Sequence, residues 1–245
     1  MNLCIIIPAY NEALRIEKTV RDYDAFFRAQ SSFCVELVVV LNGCTDQTDS
    51  VVINLKETLQ GRLSYIRVVK KGKGNAIKVG FDYALSRGFD LIGFVDADMA
   101  TRPFYFFDLI RQMEGRDGVI ASRYMPQSQI YPPRPLIKRW GSRFIYESMI
   151  KSVLKMNYYD FQCGAKVFNR AFISAVIDHI TIDDWALDIE LLYLAKKLGF
   201  AILEHPTVWY DQTGSKMTLK AGFKMLAAIF IIWWRHHRKK ALVSV

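Results

Sequence analysis

The feature that most constrains the fold is an alternation, over the first half of the chain, of short apolar runs with longer segments of helical periodicity. The runs have the length and β-branched content of strands buried on both faces: Leu3–Pro8, Val35–Leu41, Ser64–Val69, Asp90–Val95 and Gly118–Ser122. Repeated strand–helix alternation predicts a parallel sheet with helices on both faces and right-handed crossovers.

The second half of the chain has a different pattern. Four prolines between Met125 and Pro135 predict an extended loop, and the apolar spacing of Leu136–Met156 predicts an amphipathic helix. A strand at Ala165–Phe168, a helix at Trp185–Leu198 and a strand at Ala201–Glu204 are predicted to follow. No repeat or flexible linker is evident, which favours a single domain over residues 1–216 followed by a tail over 217–245.

Charge is unevenly distributed along the 245 residues, which carry 33 Lys and Arg against 24 Asp and Glu. Residues 213–245 contain seven bases and no acid, and residues 134–155 contain six bases and one acid. Basic segments beside apolar residues fit nucleic acid, an anionic membrane or a phosphorylated substrate. The four cysteines form no CxxC pair, which disfavours a zinc site or disulfide scaffold and is typical of a reducing compartment.

Polar residues follow the predicted strands at their carboxyl ends, where open parallel sheets bind ligands. Pro8–Glu12 follows the first strand, Asn42 the second, and Asp96-Ala97-Asp98 the fourth. Two carboxylates at this spacing can share a divalent ion with a diphosphate. The glycine-spaced basic loop Lys70–Gly74 can bring N–H groups and an ammonium to a phosphate, but it lacks P-loop spacing. The missing P-loop spacing disfavours nucleotide hydrolysis, and the lack of a GxGxxG after the first strand disfavours dinucleotide redox chemistry.

Six segments, in this order, resemble the family 2 glycosyltransferases of GT-A fold: IIIPAYNEALRI, ELVVVLNGCTDQT, KGKGNAIKVG, FVDADMA, DFQCGAKVF and WALDIELLYLAKKLGF. Within that family the chain is most similar to polyprenyl-phosphate sugar transferases, over residues 2–217. The resemblance implies an α/β GT-A fold, with a mostly parallel twisted sheet and Rossmann-like nucleotide-sugar binding.

The resemblance also implies site residues. Asp96 would face the nucleoside, and Asp98, with Asp96, would hold Mg²⁺ or Mn²⁺ on the diphosphate. The other implied contacts to the nucleotide sugar are Pro8, Tyr10, Glu12, Asn42 and Lys73, and those to donor or acceptor phosphates are Arg123, Arg139, Arg143 and Lys216. Asp160 is a candidate base or orienting group, with a structural turn as the alternative. Asp188 and Glu190 are interpreted as the polar face of a helix, and His236 is given no role.

Asn42 stands where the family commonly has an aspartate. An amide can accept a hydrogen bond from the uracil N3–H and donate to a carbonyl, whereas guanine presents two adjacent donors that suit a carboxylate. We therefore expect a UDP-sugar donor rather than GDP-mannose.

The tail contains ten uninterrupted apolar residues, Met225–Trp234, which span about 15 Å as a helix, half of a hydrocarbon core. Trp233 and Trp234 precede a basic run, a pattern typical of an interfacial helix on an anionic leaflet. The alternative is a core helix followed by a solvated tail.

The family resemblance, together with the basic tail, implies an inverting, divalent-metal-dependent hexosyltransferase that uses a polyprenyl phosphate and binds anionic lipid but no nucleic acid. No secretory signal is visible, which predicts a peripheral enzyme on the cytoplasmic face of the membrane. The alternatives are a family 2 transferase acting on a glycan or glycolipid hydroxyl, a sugar nucleotidyltransferase, and a non-enzymatic basic binding module.

Overall fold

The computed structural model of this chain describes residues 1–133, 146–212 and 219–237, with side chains in the last range described from Leu226 onward. The strands are β1 (Asn2–Ala9), β2 (Cys34–Asn42), β3 (Leu63–Val68), β4 (Leu91–Val95), β5 (Gly118–Ser122), β6 (Gln129–Tyr131), β7 (Ala165–Asn169), β8 (Ile202–Pro206) and β9 (Val208–Tyr210). The helices are α1 (Ile16–Arg28), α2 (Thr48–Thr58), α3 (Lys73–Arg87), α4 (Pro103–Arg111), α5 (146–153), α6 (Arg170–Val176), α7 (Leu187–Leu198) and α8 (Leu219–His237).

A seven-stranded sheet in the order β3-β2-β1-β4-β7-β5-β8 forms the centre of the described structure. The pairings β3-β2, β2-β1, β1-β4 and β5-β8 are parallel, so the mostly parallel sheet predicted from the sequence is confirmed. β7 is the exception, because it runs antiparallel to both β4 and β5. Its first residue, Ala165, pairs with Val95 at the carboxyl end of β4. The chain therefore passes from segment 160–164 directly into the sheet beside the DxD turn, without a crossover.

The core lies on both faces of this sheet, as expected for strands with continuous apolar runs. Cys4 and Ile6 of β1 belong to one buried cluster, whereas Leu3, Ile5 and Ile7 belong to the other. The helices cover both clusters, and the site residues are left at the carboxyl edge of the sheet.

The predicted strands agree with the structure to within about two residues, whereas β6, β9 and α6 were not predicted. β6 and β9 are three residues each and form a separate parallel pair, too short to give a periodic signal. The predicted helix Leu136–Met156 is helical over 146–153, and its first part lies outside the described residues.

Helix α8 packs one face against the protein and exposes apolar side chains on another. Ala228, Ile229, Ile232 and His236 are buried, whereas Phe230, Ile231, Trp233 and Trp234 are exposed. No helix in the part of the chain that the structure describes is long and apolar enough to cross a membrane. Placement of α8 in a membrane interface remains a prediction.

Candidate active site

The DxD turn follows β4, and side chains of α1 donate hydrogen bonds to the backbone of residues 97 and 101. The Thr19 hydroxyl donates to the Ala97 carbonyl at 2.8 Å, and the Tyr23 hydroxyl donates to the Thr101 carbonyl at 2.8 Å. Within the turn, the Ala100 N–H donates to Asp98 Oδ1 at 3.0 Å. These contacts fix the direction of a turn that the sequence predicted only by its composition.

The two carboxylates of the turn lie close enough to influence each other. Burial, together with the negative charge of Asp96, raises the pKa of Asp98 above its usual value. Lys73, from the start of α3, lies 2.5 Å from Asp96 Oδ1, and its ammonium also stands 4.9 Å from the ring centroid of Trp185. The structure therefore brings together Asp96, Asp98 and Lys73, as the sequence predicted. Trp185 was assigned only to a helix by sequence reasoning.

Gly164 lies against the DxD turn because β7 enters the sheet beside β4. A methyl group at this position would overlap the carboxylate of Asp96, so any residue larger than glycine would require that side chain to move. Two residues further on, the Lys166 ammonium is fully buried and donates to the Cys163 carbonyl at 2.6 Å and to Asp188 Oδ1 at 2.5 Å. Lys166 thereby holds the backbone on which Gly164 is placed.

The interpretation of Asp188 and Glu190 as a polar helix face is wrong. Both side chains are buried, and every residue of α7 from Leu187 to Ala195 is buried as well. A helix that is apolar on all sides belongs in a core, and acids within it need specific partners. That signal was present in the sequence, in the apolar residues on every side of the two acids.

Asp160 and Arg123 form a buried, bidentate ion pair. Asp160 Oδ2 accepts from Arg123 Nε at 2.7 Å and from the Arg123 backbone N–H at 3.0 Å, and Oδ1 accepts from Arg123 Nη2 at 2.9 Å and from the Gln162 N–H at 3.1 Å. Burial acts to raise the pKa of Asp160, but the Arg123 guanidinium and these donors hold it below its usual value.

Four donors occupy the Asp160 carboxylate, which gives it the geometry of an orienting group rather than of a free base. Arg123 also stands over the ring of Trp209, 5.0 Å from its centroid. Glu204 supports the arrangement, since its carboxylate accepts from the Tyr159 and Asp160 N–H groups at 2.9 and 2.7 Å. Neither Trp209 nor Glu204 was identified from the sequence, because both lie far from Asp160 along the chain.

The segment after β1 lies at the same edge of the sheet. Pro8 is the next-to-last residue of strand β1, and Glu12 pairs with Arg15 at 2.6 Å. Tyr10 is partly exposed, and the Lys71 ammonium stands 5.2 Å from its ring centroid. Of the three residues predicted to line a nucleoside, Tyr10 therefore lies next to the basic loop.

Asn42, at the end of β2, accepts a hydrogen bond from the Gly72 N–H at 3.1 Å. Packing requires glycine at two positions of the basic loop, because a methyl group at Gly72 or Gly74 would overlap the backbone of Asp183. The Asn75 N–H also donates to the Asp183 carbonyl at 3.0 Å. The N–H groups of residues 72 and 75 are thus used within the protein, which does not support the expectation that they cradle a phosphate. The loop is anchored to segment 181–184.

Three of the predicted phosphate contacts, Arg139, Arg143 and Lys216, lie outside the described residues. Within the described ranges, no group of three or more acidic, histidine or cysteine side chains is arranged as a metal site.

Residues 4–177 match the family model described as glycosyl transferase family 2. The chain belongs to this family of glycosyltransferases. The resemblance identified from the sequence is confirmed, and so is the GT-A fold. Among similar proteins, a dolichyl-phosphate beta-glucosyltransferase of Drosophila melanogaster is 31% identical over 255 residues, covering 96% of this glycosyltransferase and 76% of that protein.

Two further similarities bear on length and fold. Glycosyltransferase AglD of Haloferax volcanii is 29% identical over 242 residues, which cover 96% of the present glycosyltransferase but 37% of AglD. Glucosyl-3-phosphoglycerate synthase of Mycobacterium tuberculosis, solved with Mn²⁺, UDP-glucose and phosphoglyceric acid, superimposes with a TM-score of 0.68 at 17% identity, covering 95% and 80% of the two chains. At this identity, the likeness to that enzyme shows the shared fold.

Proposed function

We propose that this glycosyltransferase moves a hexose from a nucleotide-diphosphate sugar to a polyprenyl phosphate, such as dolichyl or undecaprenyl phosphate, with inversion at the anomeric carbon. Relatives named dolichyl-phosphate beta-glucosyltransferase support this acceptor class. The observation that carries the proposal is that segment 160–164 contacts residues of both predicted subsites. Asp160, at its first position, pairs with Arg123, and Gly164, at its last, lies against Asp96. This arrangement supports the assignment of Arg123 as the cation that binds an acceptor phosphate next to the donor site.

Asp96 and Asp98 would hold the divalent ion, Mg²⁺ or Mn²⁺. Their fit rests on chemistry, since both cations take oxygen ligands and Mg²⁺ is commonly bound by one or two carboxylates together with substrate phosphates. Burial, together with the negative charge of Asp96, raises the pKa of Asp98, and a bound cation would stabilise both carboxylates in their charged form. When bound, the ion supplies charge neutralisation at the departing diphosphate.

The protein's own residues supply positioning and charge. A phosphate monoester has a second pKa of about 6, so the acceptor oxygen is already largely ionised at neutral pH and needs no strong base. That oxygen forms the new bond to C1 as the bond from C1 to the diphosphate breaks, and the nucleoside diphosphate leaves. Arg123, held by Asp160, orients the acceptor phosphate, and Lys73 adds positive charge at the donor. Arg139, Arg143 and Lys216 are proposed as further phosphate contacts.

The proposed donor is a UDP-sugar, bound by Pro8, Tyr10, Glu12 and Asn42. The side-chain amide of Asn42 can serve both edge groups of uracil, the N3–H donor and a carbonyl acceptor. The similar mycobacterial synthase was solved with UDP-glucose, which supports a uridine nucleotide on this fold.

The proposed location is the surface of an anionic membrane, on its cytoplasmic face. Residues 1–216 form the catalytic part, and residues 217–245 attach it to the membrane. Support comes from the exposed face of α8, where Phe230, Ile231, Trp233 and Trp234 present apolar and aromatic surface. The opposite face of α8 packs on the catalytic part, which keeps the attached enzyme close to its lipid substrate.

The deciding experiment measures nucleotide release from UDP-glucose and GDP-mannose, with Mg²⁺ or Mn²⁺, in detergent. Dolichyl phosphate is compared with dolichol, which lacks only the phosphate. We expect release from UDP-glucose that requires dolichyl phosphate and that Asp98→Asn abolishes, whereas Asp108→Asn, a substitution in α4 away from the DxD turn, leaves release intact. Release triggered only by a sugar hydroxyl would overturn the acceptor assignment, and faster release from GDP-mannose would overturn the donor assignment.

A further inference from the structure

The Glu190 carboxylate is fully buried and gathers four donors from two separate parts of the chain. Its Oε2 accepts from the Thr181 and Ile182 N–H groups, both at 2.9 Å, and its Oε1 accepts from the Thr181 hydroxyl at 2.6 Å. The fourth partner is His236 of α8, whose Nε2 lies 2.8 Å from Oε1. Because three other donors already converge on this carboxylate, the contact is made with the proton on Nε2.

On one side, this carboxylate fixes the segment that supports the donor loop. Asp183 follows directly after the two residues that Glu190 holds, and its side chain pairs with Lys70. Its carbonyl accepts from the Asn75 N–H at 3.0 Å, and its backbone leaves no room for a side chain at Gly72. Gly72 in turn donates to Asn42, so a displacement of segment 181–184 reaches the residues that would hold the nucleotide.

On the other side, the carboxylate holds α8 in place. His236 is 1% exposed, although it lies in a segment that the sequence presents as a basic tail. The Lys197 ammonium of α7 donates to the His236 carbonyl, and Arg235 Nη1 donates to the Thr181 carbonyl at 3.4 Å. The end of α8 and the support of the donor loop are thus bonded to the same buried acid.

We propose that Glu190 and His236 are positioning residues for the donor, which make the geometry of loop 70–75 depend on the seating of α8. The proposal rests on the proposed function in one respect, the use of a uridine nucleotide. Loss of the His236 hydrogen bond leaves a fully buried carboxylate short of one donor, which is costly because an unsatisfied buried charge loses its hydrogen-bond energy without regaining solvation. Glu190 then turns towards other partners and releases segment 181–184, and the tight contacts at Gly72 and Gly74 are lost.

The most informative variant is His236→Phe in the full chain. Phenylalanine keeps the ring, and Nδ1 has no hydrogen-bond partner among the described residues, so the substitution removes only the Nε2 contact. His236→Gln, which keeps a side-chain N–H, is the rescue variant. His237→Phe, at the exposed neighbouring position where the ring stacks on Trp233, is the matched control.

The readouts are UDP affinity with Mn²⁺ by calorimetry, and hydrogen exchange of the amides in residues 70–76, both measured well below the melting temperature of each variant. We expect His236→Phe to weaken UDP binding on the order of tenfold and to speed exchange in residues 70–76. His236→Gln should recover most of the affinity, and His237→Phe should match the wild type. A purely structural role for His236 would lower the melting temperature without moving either readout at the working temperature.

Failure of the inference and failure of the proposed function give different results. If UDP binds the wild type and His236→Phe equally and exchange in residues 70–76 is unchanged, the inference is overturned while the proposed donor stands. If UDP does not bind the wild type, the proposed donor falls, and hydrogen exchange alone then decides the inference. If His236→Phe fails to fold, Glu190→Gln, which retains volume and an acceptor oxygen, is measured in the same way with the same expected direction.

Discussion

At Gly164 the main chain lies close to the Asp96 carboxylate, although the two residues are 68 positions apart in the sequence. The position of this carboxylate therefore depends on residue 164 having no side chain. We predict that Gly164→Ala lowers the rate of sugar transfer by on the order of 100-fold, because the added methyl group displaces the Asp96 carboxylate from the position in which it would bind the metal and the nucleotide sugar. The measurement is nucleotide release at saturating donor, acceptor and Mg²⁺.

Gly115→Ala is the control for this prediction. Gly115 has a φ of +65°, so an alanine there lowers the free energy of unfolding by about 1 kcal/mol through backbone strain. The added methyl group has no atom within 4 Å and therefore does not disturb the active site. Equal losses of activity in both variants would show that general destabilisation, rather than Asp96, explains the effect.

The Asp160 carboxylate predicts a pH dependence of stability. Its pKa in the folded state lies below the unfolded value of about 3.9, so its stabilisation is fully present at neutral pH and is lost as the pH falls through the folded pKa. We expect Asp160→Asn to unfold more easily than the wild type by on the order of 3 kcal/mol between pH 5 and 7, with the difference narrowing below about pH 4.

Denaturant titrations across this pH range measure that difference. Asp22→Asn, which removes only the exposed pair with Lys18 at 2.5 Å, serves as the reference and should change stability by less than about 1 kcal/mol throughout. A gap between wild type and Asp160→Asn that stays constant down to pH 2.5 would contradict the low pKa of Asp160.

At the scale of elements, α8 has two apolar faces with different partners. Ile229 is fully buried, whereas Ile231, two residues away, is 40% exposed. We predict that Ile229→Ala lowers the free energy of unfolding by roughly 2–5 kcal/mol, because it opens a cavity against the protein, and that Ile231→Ala leaves stability nearly unchanged. Denaturant unfolding measures the first effect.

Vesicle co-sedimentation measures the corresponding effect on the exposed face. Ile231→Ala should reduce binding to anionic vesicles, whereas Ile229→Ala should bind like the wild type as long as it is folded. The reverse pattern would mean that the buried face of α8 opens to meet the lipid.

The direction of β7 is the element that sequence patterns could not assign. Parallel and antiparallel strands buried on both faces have the same apolar composition. The residues of Ala165–Asn169 therefore do not indicate whether this strand runs parallel or antiparallel to its neighbours. That direction decides whether Gly164 lies beside Asp96 or at the opposite edge of the sheet.

At the scale of the whole molecule, the net charge of +9 and the exposed face of α8 predict membrane binding in which charge and apolar contact act together. We expect the protein to bind vesicles containing phosphatidylserine more tightly than neutral vesicles, with a preference that shrinks as salt rises from 0.05 to about 0.5 M, because the screening length falls. Sedimentation with vesicles of both compositions measures this. Equal, salt-independent binding to both would assign attachment to the apolar residues alone.

The sequence by itself determined the order and type of most elements, the family, and the cluster of Asp96, Asp98 and Lys73. These inferences rest on patterns that are local in the chain, namely the periodicity of strands and helices and the polar residues that follow strands at one edge of a sheet. Family motifs extended the same reading to Arg123 and Asp160.

Only the tertiary structure decided how those residues are used. It showed that four donors occupy Asp160, that Glu190 is a buried acceptor, and that His236, 46 residues away, reaches it from the tail. From sequence alone, charged residues within a helix are interpreted as solvent-exposed. The partner that would allow them to be buried comes from a distant segment, and packing decides which residue it is. That pairing has no local signature, and it appears only when the elements are assembled.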